Sequence, residues 1–287
     1  MKKLQELTLK DNFMFTAVMI KPENCKGMLE RVLGIQIERV EVSLEKCLIY
    51  HPEYKGVRLD IYAKDEKHTH YNVEMQSVRK ECLGKRSRYY TSQMDMELLS
   101  AGMEYSELPN TYVIFICDFD PFGEGKYRYT FKRICQETEK ARLEDESNII
   151  FLNTKGKNDE EVPDELIKFL KLVGADLKES ERDFEDTFVK QLQETMREVK
   201  VSREMGARYV IFQEMLRDER KAGFSEGKSI GVTQGRSTAV LELLEEFGSI
   251  PGELCERIQR EDNLEVLKKW NKLAAKVSSI EEFQKNM

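Results

Sequence analysis

Two acidic residues, Asp60 and Glu74, stand in short alternating segments that a polar linker separates. The first segment reads R-L-D-I-Y-A and the second H-Y-N-V-E-M-Q, and both alternate apolar with polar residues, as half-buried strands do. If the two strands fold back about Lys67 as a hairpin, Asp60 lies opposite Glu74 and Arg58 lies opposite Gln76. The spacing therefore predicts two carboxylates that face each other across a β-ribbon.

Two carboxylates in that position could bind a divalent cation. Side chains directly opposite in an antiparallel pair have Cβ atoms roughly 4.5–5.5 Å apart, and like charges at that distance destabilise a sheet. Mg²⁺ would turn such a pair into ligands, because it usually takes about one or two carboxylates, several waters and the phosphate oxygens of a substrate. The alternative is an ordinary solvated sheet face with two unrelated acids, and the spacing alone leaves both open.

The rest of the first half of the chain predicts the elements that would position this hairpin. Alternating or continuous apolar runs predict four more strands, over 37–44, 112–117, 127–134 and 148–152. Apolar residues at helical spacing predict three helices, over 8–20, 25–33 and 80–103. Residues 51–56 are predicted to form a turn before the hairpin. His68 and His70 are interpreted as hairpin-turn residues, because no third zinc ligand accompanies them.

The character of the chain changes after residue 153. Five amphipathic helices are predicted, over 164–172, 184–216, 238–247, 251–258 and 264–277. Among them, glycines recur every four residues, at Gly223, Gly227, Gly231 and Gly235. This repeat leaves open a flexible linker or a helix for self-association. We expect three regions: a core over 1–155, a helical segment packing on or extending it over 156–220, and a Gly-repeat linker with C-terminal helices over 221–287.

Composition limits the class of protein. The chain has 287 residues, of which 34% are charged, and no apolar run approaches the roughly 18–20 residues that a membrane helix needs. The first residues lack the apolar stretch of a signal peptide, so we expect a soluble cytoplasmic protein that does not bind membranes. The six cysteines form no C-x-x-C pair, which argues against a zinc knuckle or a redox motif.

The charge distribution bears on nucleic-acid binding. A net charge of −7 is awkward for a DNA-binding protein, but the excess of acids lies in the second half of the chain. The first half is near neutral and has a local basic set at Arg79, Lys80, Lys85, Arg86 and Arg88. Such a set could bind a few phosphates or be a solvated helix face, and charge alone does not decide between them.

Five phrases, in this order, resemble the PD-(D/E)XK nuclease superfamily and, more narrowly, its Rpn-type recombination-promoting nuclease and transposase family. They are L-T-L-K-D-N-F-M-F, R-L-D-I-Y-A, N-V-E-M-Q, K-R-S-R-Y-Y and V-I-F-I-C-D-F, and they cover about the first half of the chain. Each phrase is weak alone, and together they are fairly specific. Gln76 stands where the superfamily usually has lysine, but glutamine is common in the narrower family.

The resemblance implies an α/β fold, with a restriction-endonuclease-like mixed sheet flanked by helices and an all-helical C-terminal extension. It implies a Mg²⁺-dependent DNA endonuclease, with Mn²⁺ as a substitute ion, in recombination or mobile-element DNA processing. By this resemblance Asp60, Glu74 and the Met75 carbonyl would bind the metal, and Gln76 would orient the attacking water. The tail resembles the variable end of the family, and its helices leave open a homo-oligomer.

Three further residues are candidates for supporting roles. An acid occupies the position of Asp11 in the resembled family, although helix capping explains this residue equally well. Arg86 could neutralise the scissile phosphate, because a guanidinium matches phosphate geometry, and Tyr90 lies one helical turn further along. Two rival functions remain: a catalytically inactive nuclease-fold DNA-binding or regulatory protein, and a helical protein-interaction module.

Overall fold

The computed structural model of the protein describes residues 2–48 and 56–287. Most of the predicted turn over 51–56 therefore lies outside the described residues. The described chain divides into two compact units, Met1–Tyr209 and Val210–Met287. Of the described helices, none is both long enough and apolar enough to cross a membrane.

The first unit is built on one mixed sheet. Its strands within the described residues are β1 (Val40–Leu48), β2 (Val57–Asp65), β3 (His70–Gln76), β4 (Thr111–Cys117), β5 (Arg128–Phe131) and β6 (Ser147–Asn153). Their order across the sheet is β1-β2-β3-β4-β6-β5. The first three strands pair antiparallel, β4 is parallel to both β3 and β6, and β5 is an antiparallel edge strand. The predicted mixed α/β fold is confirmed.

The described residues also form α-helices, both in the first unit, where they flank the sheet, and in the second unit. They are α1 (Asn12–Met19), α2 (Pro22–Leu33), α3 (Leu83–Leu98), α4 (Asp164–Gly174), α5 (Thr187–Val201), α6 (Arg203–Glu245), α7 (Gly252–Arg260), α8 (Leu264–Ala274) and α9 (Ile280–Asn286). Gly34 ends α2 in the left-handed conformation, with φ 70°, as a C-terminal glycine commonly does.

The first two helices after the sheet belong to the first unit and pack on the helices that precede it. Helices α4 and α5 contact α2, and α5 also contacts α1. Gly27 of α2 shows how close this packing is, because a Cβ atom there would lie 2.3 Å from the Phe188 ring of α5. Only glycine permits that approach.

Helix α3 covers the face of the sheet that carries the candidate site. Tyr90 and Met94 of α3 share one apolar cluster with Val113 and Phe115 of β4. The predicted helix over 80–103 was too long at both ends. Cys82 adopts a left-handed conformation, with φ 60°, immediately before the first helical residue, and this turn ends the connection from β3.

One other helix prediction needs correction, and the glycine repeat proves to be helical. The predicted helix over 184–216 is broken at Ser202, whose extended backbone (ψ 125°) separates α5 from α6. Helix α6 then continues through all four repeated glycines to Glu245. The four glycines of the repeat would meet no atom within 4 Å if a Cβ were added, so close packing within the described part of this chain does not explain their spacing.

The second unit has an apolar core of its own. The end of α6 contributes Val240 and Leu244, and α7, α8 and α9 contribute Ile258, Trp270 and Phe283. The last helix, α9, was not predicted from the sequence.

Candidate active site

Strands β2 and β3 bring the two acids of the hairpin together. The recorded pairs run from Ile61↔Val73 to Lys64↔His70, which is the register predicted for a hairpin about Lys67. One step further, the Asp60 amide N–H donates to Glu74 Oε1 at 3.2 Å. The Met75 amide N–H donates to Asp60 Oδ2, also at 3.2 Å. Each carboxylate thus accepts a hydrogen bond from the main chain of the opposite strand.

The polar residues of β3 are buried, although their alternation predicts a half-buried strand. Every residue of β3 is buried, because this strand is central in the sheet and α3 covers its polar residues. These residues, which we call the polar row, share one face by the two-residue period of a strand; they are His70, Asn72, Glu74 and Gln76. The prediction of a half-buried strand was therefore wrong for β3, and the alternative of an ordinary solvated face does not hold for this strand. A buried polar row opposes folding unless its groups are hydrogen-bonded, so its presence points to a functional site.

Arg86 of α3 connects three groups of this site. Its Nη2 donates to Glu74 Oε2 at 2.8 Å, and its Nη1 donates to Gln76 Oε1 at 2.9 Å. Its Nε donates to the Tyr90 hydroxyl at 2.7 Å. The guanidinium also lies 5.4 Å from the centre of the Phe115 ring. The structure therefore joins Arg86 and Tyr90 to the predicted acids, and the arginine holds two members of the polar row in place.

Gln76 is fixed at both ends of its amide. Its Oε1 accepts from Arg86, and its Nε2 donates to the Met75 carbonyl at 2.9 Å. The Met75 carbonyl, which the resemblance names as a metal ligand, is thus engaged by Gln76. The assigned ligand and water-orienting roles of these two residues stay predictions.

The electrostatics of Glu74 reflect this environment. Burial and, second, the nearby Asp60 carboxylate together raise the pKa of its carboxyl group to about 8, although the Arg86 guanidinium acts in the opposite direction. Its side chain is only 1% exposed, whereas Asp60 is partly exposed. Two close carboxylates in a buried site cannot easily both ionise. A bound dication would replace the proton that Glu74 otherwise keeps.

The raised pKa of Glu74 predicts a pH-dependent stability for the metal-free protein. Between about 4.5 and about 8, the folded protein keeps a proton that the unfolded chain has released, so stability falls as the pH rises. Glu74→Gln is neutral at every pH and lacks this effect. We therefore expect the free energy of unfolding of the variant, relative to wild type, to increase with pH. Urea titrations with a chelator would measure it, and parallel pH curves would contradict a raised pKa.

Asp11 has contacts of its own near the start of the chain. It is the N-cap residue of α1, and its Oδ2 accepts from the Thr8 amide N–H at 2.8 Å. Its Oδ1 accepts from Lys2 Nζ at 2.8 Å. The helix begins at Asn12, four residues after the start of the helix predicted over 8–20, and the Thr8 main chain instead donates to Asp11. These contacts account for Asp11 structurally, and its supporting role near a metal stays a prediction.

His70 differs from its sequence interpretation, and Asp65 has a structural role that was not predicted. His70 is a buried residue of β3, not a turn residue, and its Nδ1 lies 2.7 Å from the Tyr62 hydroxyl. Asp65, which the sequence analysis did not single out, organises the hairpin turn. Its carboxylate accepts from the Thr69 amide N–H and from the Tyr71 hydroxyl. An acid directly before a polar turn was the available signal.

Asp118 and Asp120, which follow β4, make different contacts. Asp120 forms the turn after β4, where its carboxylate accepts from the Gly123 and Gly125 amide N–H groups. Asp118 instead lies 3.3 Å from Lys10 Nζ and 2.9 Å from Lys155 Nζ. These two lysines therefore lie near the carboxyl end of β4. In the described part of the chain, no three His, Cys, Asp or Glu residues form a group that could hold a metal.

One comparison with known proteins assigns a family to most of the chain. The family model described as "PD-(D/E)XK nuclease family transposase" matches residues 12–223. The match covers most of the chain and includes both acids of the hairpin, Gln76, Arg86 and Tyr90. No curated protein and no solved structure matches the chain.

Proposed function

We propose that this chain, which belongs to the PD-(D/E)XK nuclease family transposases, is a Mg²⁺-dependent endonuclease that hydrolyses phosphodiester bonds in DNA. Membership supports a nuclease-type hydrolase in general. The DNA substrate, the metal and a role in recombination or mobile-element processing are our inferences from it. The observation that carries them is the meeting of Asp60 and Glu74 across β2 and β3.

The donor set fits a hard divalent cation. Asp60 and Glu74 offer carboxylate oxygens, and Met75 offers a main-chain carbonyl beside them. Mg²⁺ commonly takes about one or two carboxylates and keeps several waters, so a third acid is not required. Mn²⁺ accepts the same oxygen ligands. When bound, such an ion lowers the pKa of a coordinated water and stabilises charge on the phosphate.

The residues around the acids would align this site. Arg86 donates to both Glu74 and Gln76 and so keeps the two side chains beside the site before a substrate binds. If the Gln76 amide turns from the Met75 carbonyl, its Nε2 and Oε1 can bond an attacking water. Because glutamine adds no positive charge, stabilisation of the scissile phosphate would depend on the ion and on Arg86, whose side chain is 27% exposed.

We further propose a cytoplasmic location and self-association through the C-terminal helices. The apolar core of Val210–Met287 supports a folded C-terminal unit available for such a role. Sedimentation of the full chain, against a chain shortened near residue 200, would show whether assembly requires this unit.

A cleavage assay tests the proposed activity. Supercoiled plasmid incubated with the full-length protein and Mg²⁺ or Mn²⁺ is expected to become nicked or linear. A chelator should stop the reaction, and restoring the ion should restart it. Plasmid that stays supercoiled with either ion, while the protein is folded, would contradict the proposal.

A catalytically inactive DNA-binding or regulatory protein is the second candidate. The observation in its favour is that Arg86 already occupies both Glu74 and Gln76, and that glutamine replaces the usual lysine. This candidate predicts DNA binding that is unchanged by a chelator, together with no cleavage under any metal condition. Electrophoretic mobility shift alongside the plasmid assay distinguishes the two functions.

A further inference from the structure

Asn72 belongs to the polar row but has no role in the site described so far. It is completely buried, at 0% exposure, and lies two residues before Glu74 on the same face of β3. In the sheet it is paired with Tyr62 of β2 and Val113 of β4. Its neighbours across the strands are therefore an aromatic and an aliphatic residue.

The Asn72 amide is unsatisfied in this structure. Within the described residues, neither its Nδ2 nor its Oδ1 makes a hydrogen bond. Asn24 provides a comparison, because it is equally buried but its Nδ2 donates to the Val18 carbonyl and its Oδ1 accepts from Gln191. Burying an unpaired amide opposes folding, whereas an apolar side chain of the same shape would not. Stability alone therefore does not explain an asparagine at position 72.

The position of the amide suggests what it is for. Asn72 lies close enough to the Glu74 carboxylate to act towards a lower pKa of that group, but its Nδ2 and Oδ1 do not meet the distance and angle of a hydrogen bond. In the present arrangement Glu74 Oε1 accepts from the Asp60 amide and Oε2 accepts from Arg86. If the carboxylate turns away from Arg86 to ligate a cation, it loses that hydrogen bond, and a second donor would hold it in the new orientation.

We propose that Asn72 is a positioning residue for Glu74, and that its Nδ2 donates to the Glu74 carboxylate when that carboxylate turns from Arg86 towards a divalent cation. This inference rests on the proposed metal-dependent function. Hydrogen bonds from neighbouring side chains orient the ligands of metal sites, and their loss typically weakens metal binding by about 10–100-fold. The unpaired amide of the metal-free structure becomes paired in the metal-bound one.

The test uses the full chain with Asn72→Leu, which keeps the size of the side chain and removes its donor. We expect the Kd for Mn²⁺, measured by isothermal titration calorimetry, to rise about 10–100-fold. The Tm in the presence of a chelator should stay unchanged or increase, because an unpaired polar group has been removed. Asn72→Ser is smaller and keeps a donor, so its Mn²⁺ affinity should lie between those of Asn72→Leu and wild type.

Asn24→Leu is the matched control, since it removes a buried asparagine that is hydrogen-bonded. It should lower the Tm and leave Mn²⁺ affinity unchanged. If Asn72→Leu binds Mn²⁺ as wild type does, or loses affinity together with a lowered Tm, the inference about Asn72 is overturned while the proposed function stands. If the wild-type protein binds no Mn²⁺, or Asp60→Asn binds it equally well, both are overturned.

Discussion

Replacing Asp60 with asparagine is expected to abolish metal-dependent DNA cleavage, with a rate reduction of about a thousandfold or more, equivalent to about 4 kcal/mol. The amide removes one of the two carboxylates that meet across β2 and β3, and metal ions commonly supply several kcal/mol of charge stabilisation. The free energy of unfolding should decrease by much less than this. The Asp60 charge raises the pKa of the buried Glu74 carboxyl group, so its removal relieves a repulsion.

Single-turnover plasmid nicking and urea unfolding, measured on the same preparations, test this separation. Asp65→Asn is the matched control on the same strand. It weakens an acid that orders the hairpin turn and should lower stability, while cleavage below its Tm persists. Cleavage by Asp60→Asn at the wild-type rate would contradict the two-carboxylate site, and so would equal losses of activity in both variants.

The hairpin was predictable because its information is local. Alternation of apolar and polar residues identified both strands, and the length of the linker determined the register. The pairing of Ile61 with Val73 follows from these two facts, and the neighbouring acids then meet. The parallel strands β4 and β6 were predictable from their continuous apolar runs.

The environment of the site was not predictable from the same pattern. Alternation indicates which residues share a face, but not whether another element covers the polar one. Helix α3 covers the face of Glu74, and Arg86 reaches it from that helix. Sequence spacing made Arg86 a candidate for binding phosphate, yet its three hydrogen bonds are internal. His70 and Asn72 became informative only when their burial was known.

Helix ends were missed where a single backbone conformation decides them. The left-handed Cys82 shortens α3, and the extended Ser202 separates α5 from α6. Neither residue type requires that conformation. Conversely, four glycines lower helix propensity by up to about 1 kcal/mol each, but α6 is helical throughout. Val240 and Leu244 at the end of α6 pack in the apolar core of the second unit. Tertiary packing of this kind can override a low local helix propensity.

Replacing Arg86 with methionine is expected to destabilise the metal-free protein by about 3 kcal/mol or more at high pH, as losing one partner of a buried ion pair does. Glu74 Oε2, Gln76 Oε1 and the Tyr90 hydroxyl would each lose their guanidinium donor. Methionine keeps most of the length of the side chain, so the change removes charge and donors more than volume.

The loss should depend on pH with a definite sign. The Arg86 guanidinium lowers the pKa of Glu74, which still stands at about 8; without the arginine, the pKa rises further. The folded variant then keeps the Glu74 proton to higher pH than the folded wild-type protein does. Its free energy of unfolding therefore continues to fall at pH values where that of the wild type has become constant. The deficit relative to wild type is therefore smaller near about pH 6, where only the pH-independent loss of hydrogen bonds to Gln76 and Tyr90 remains, and it grows above about pH 8.

Urea unfolding in a chelator at these two pH values measures the deficit directly. Arg88→Met is the matched control, because Arg88 lies on the same helix and is exposed; its effect should stay within about 0.5 kcal/mol at both values. A deficit for Arg86→Met that is equal at low and high pH would mean that the arginine acts through its packing on Phe115 rather than through the charge of Glu74. The same variant would then bind Mn²⁺ with unchanged pH dependence, because the proton that competes with the ion at Glu74 would be unaffected.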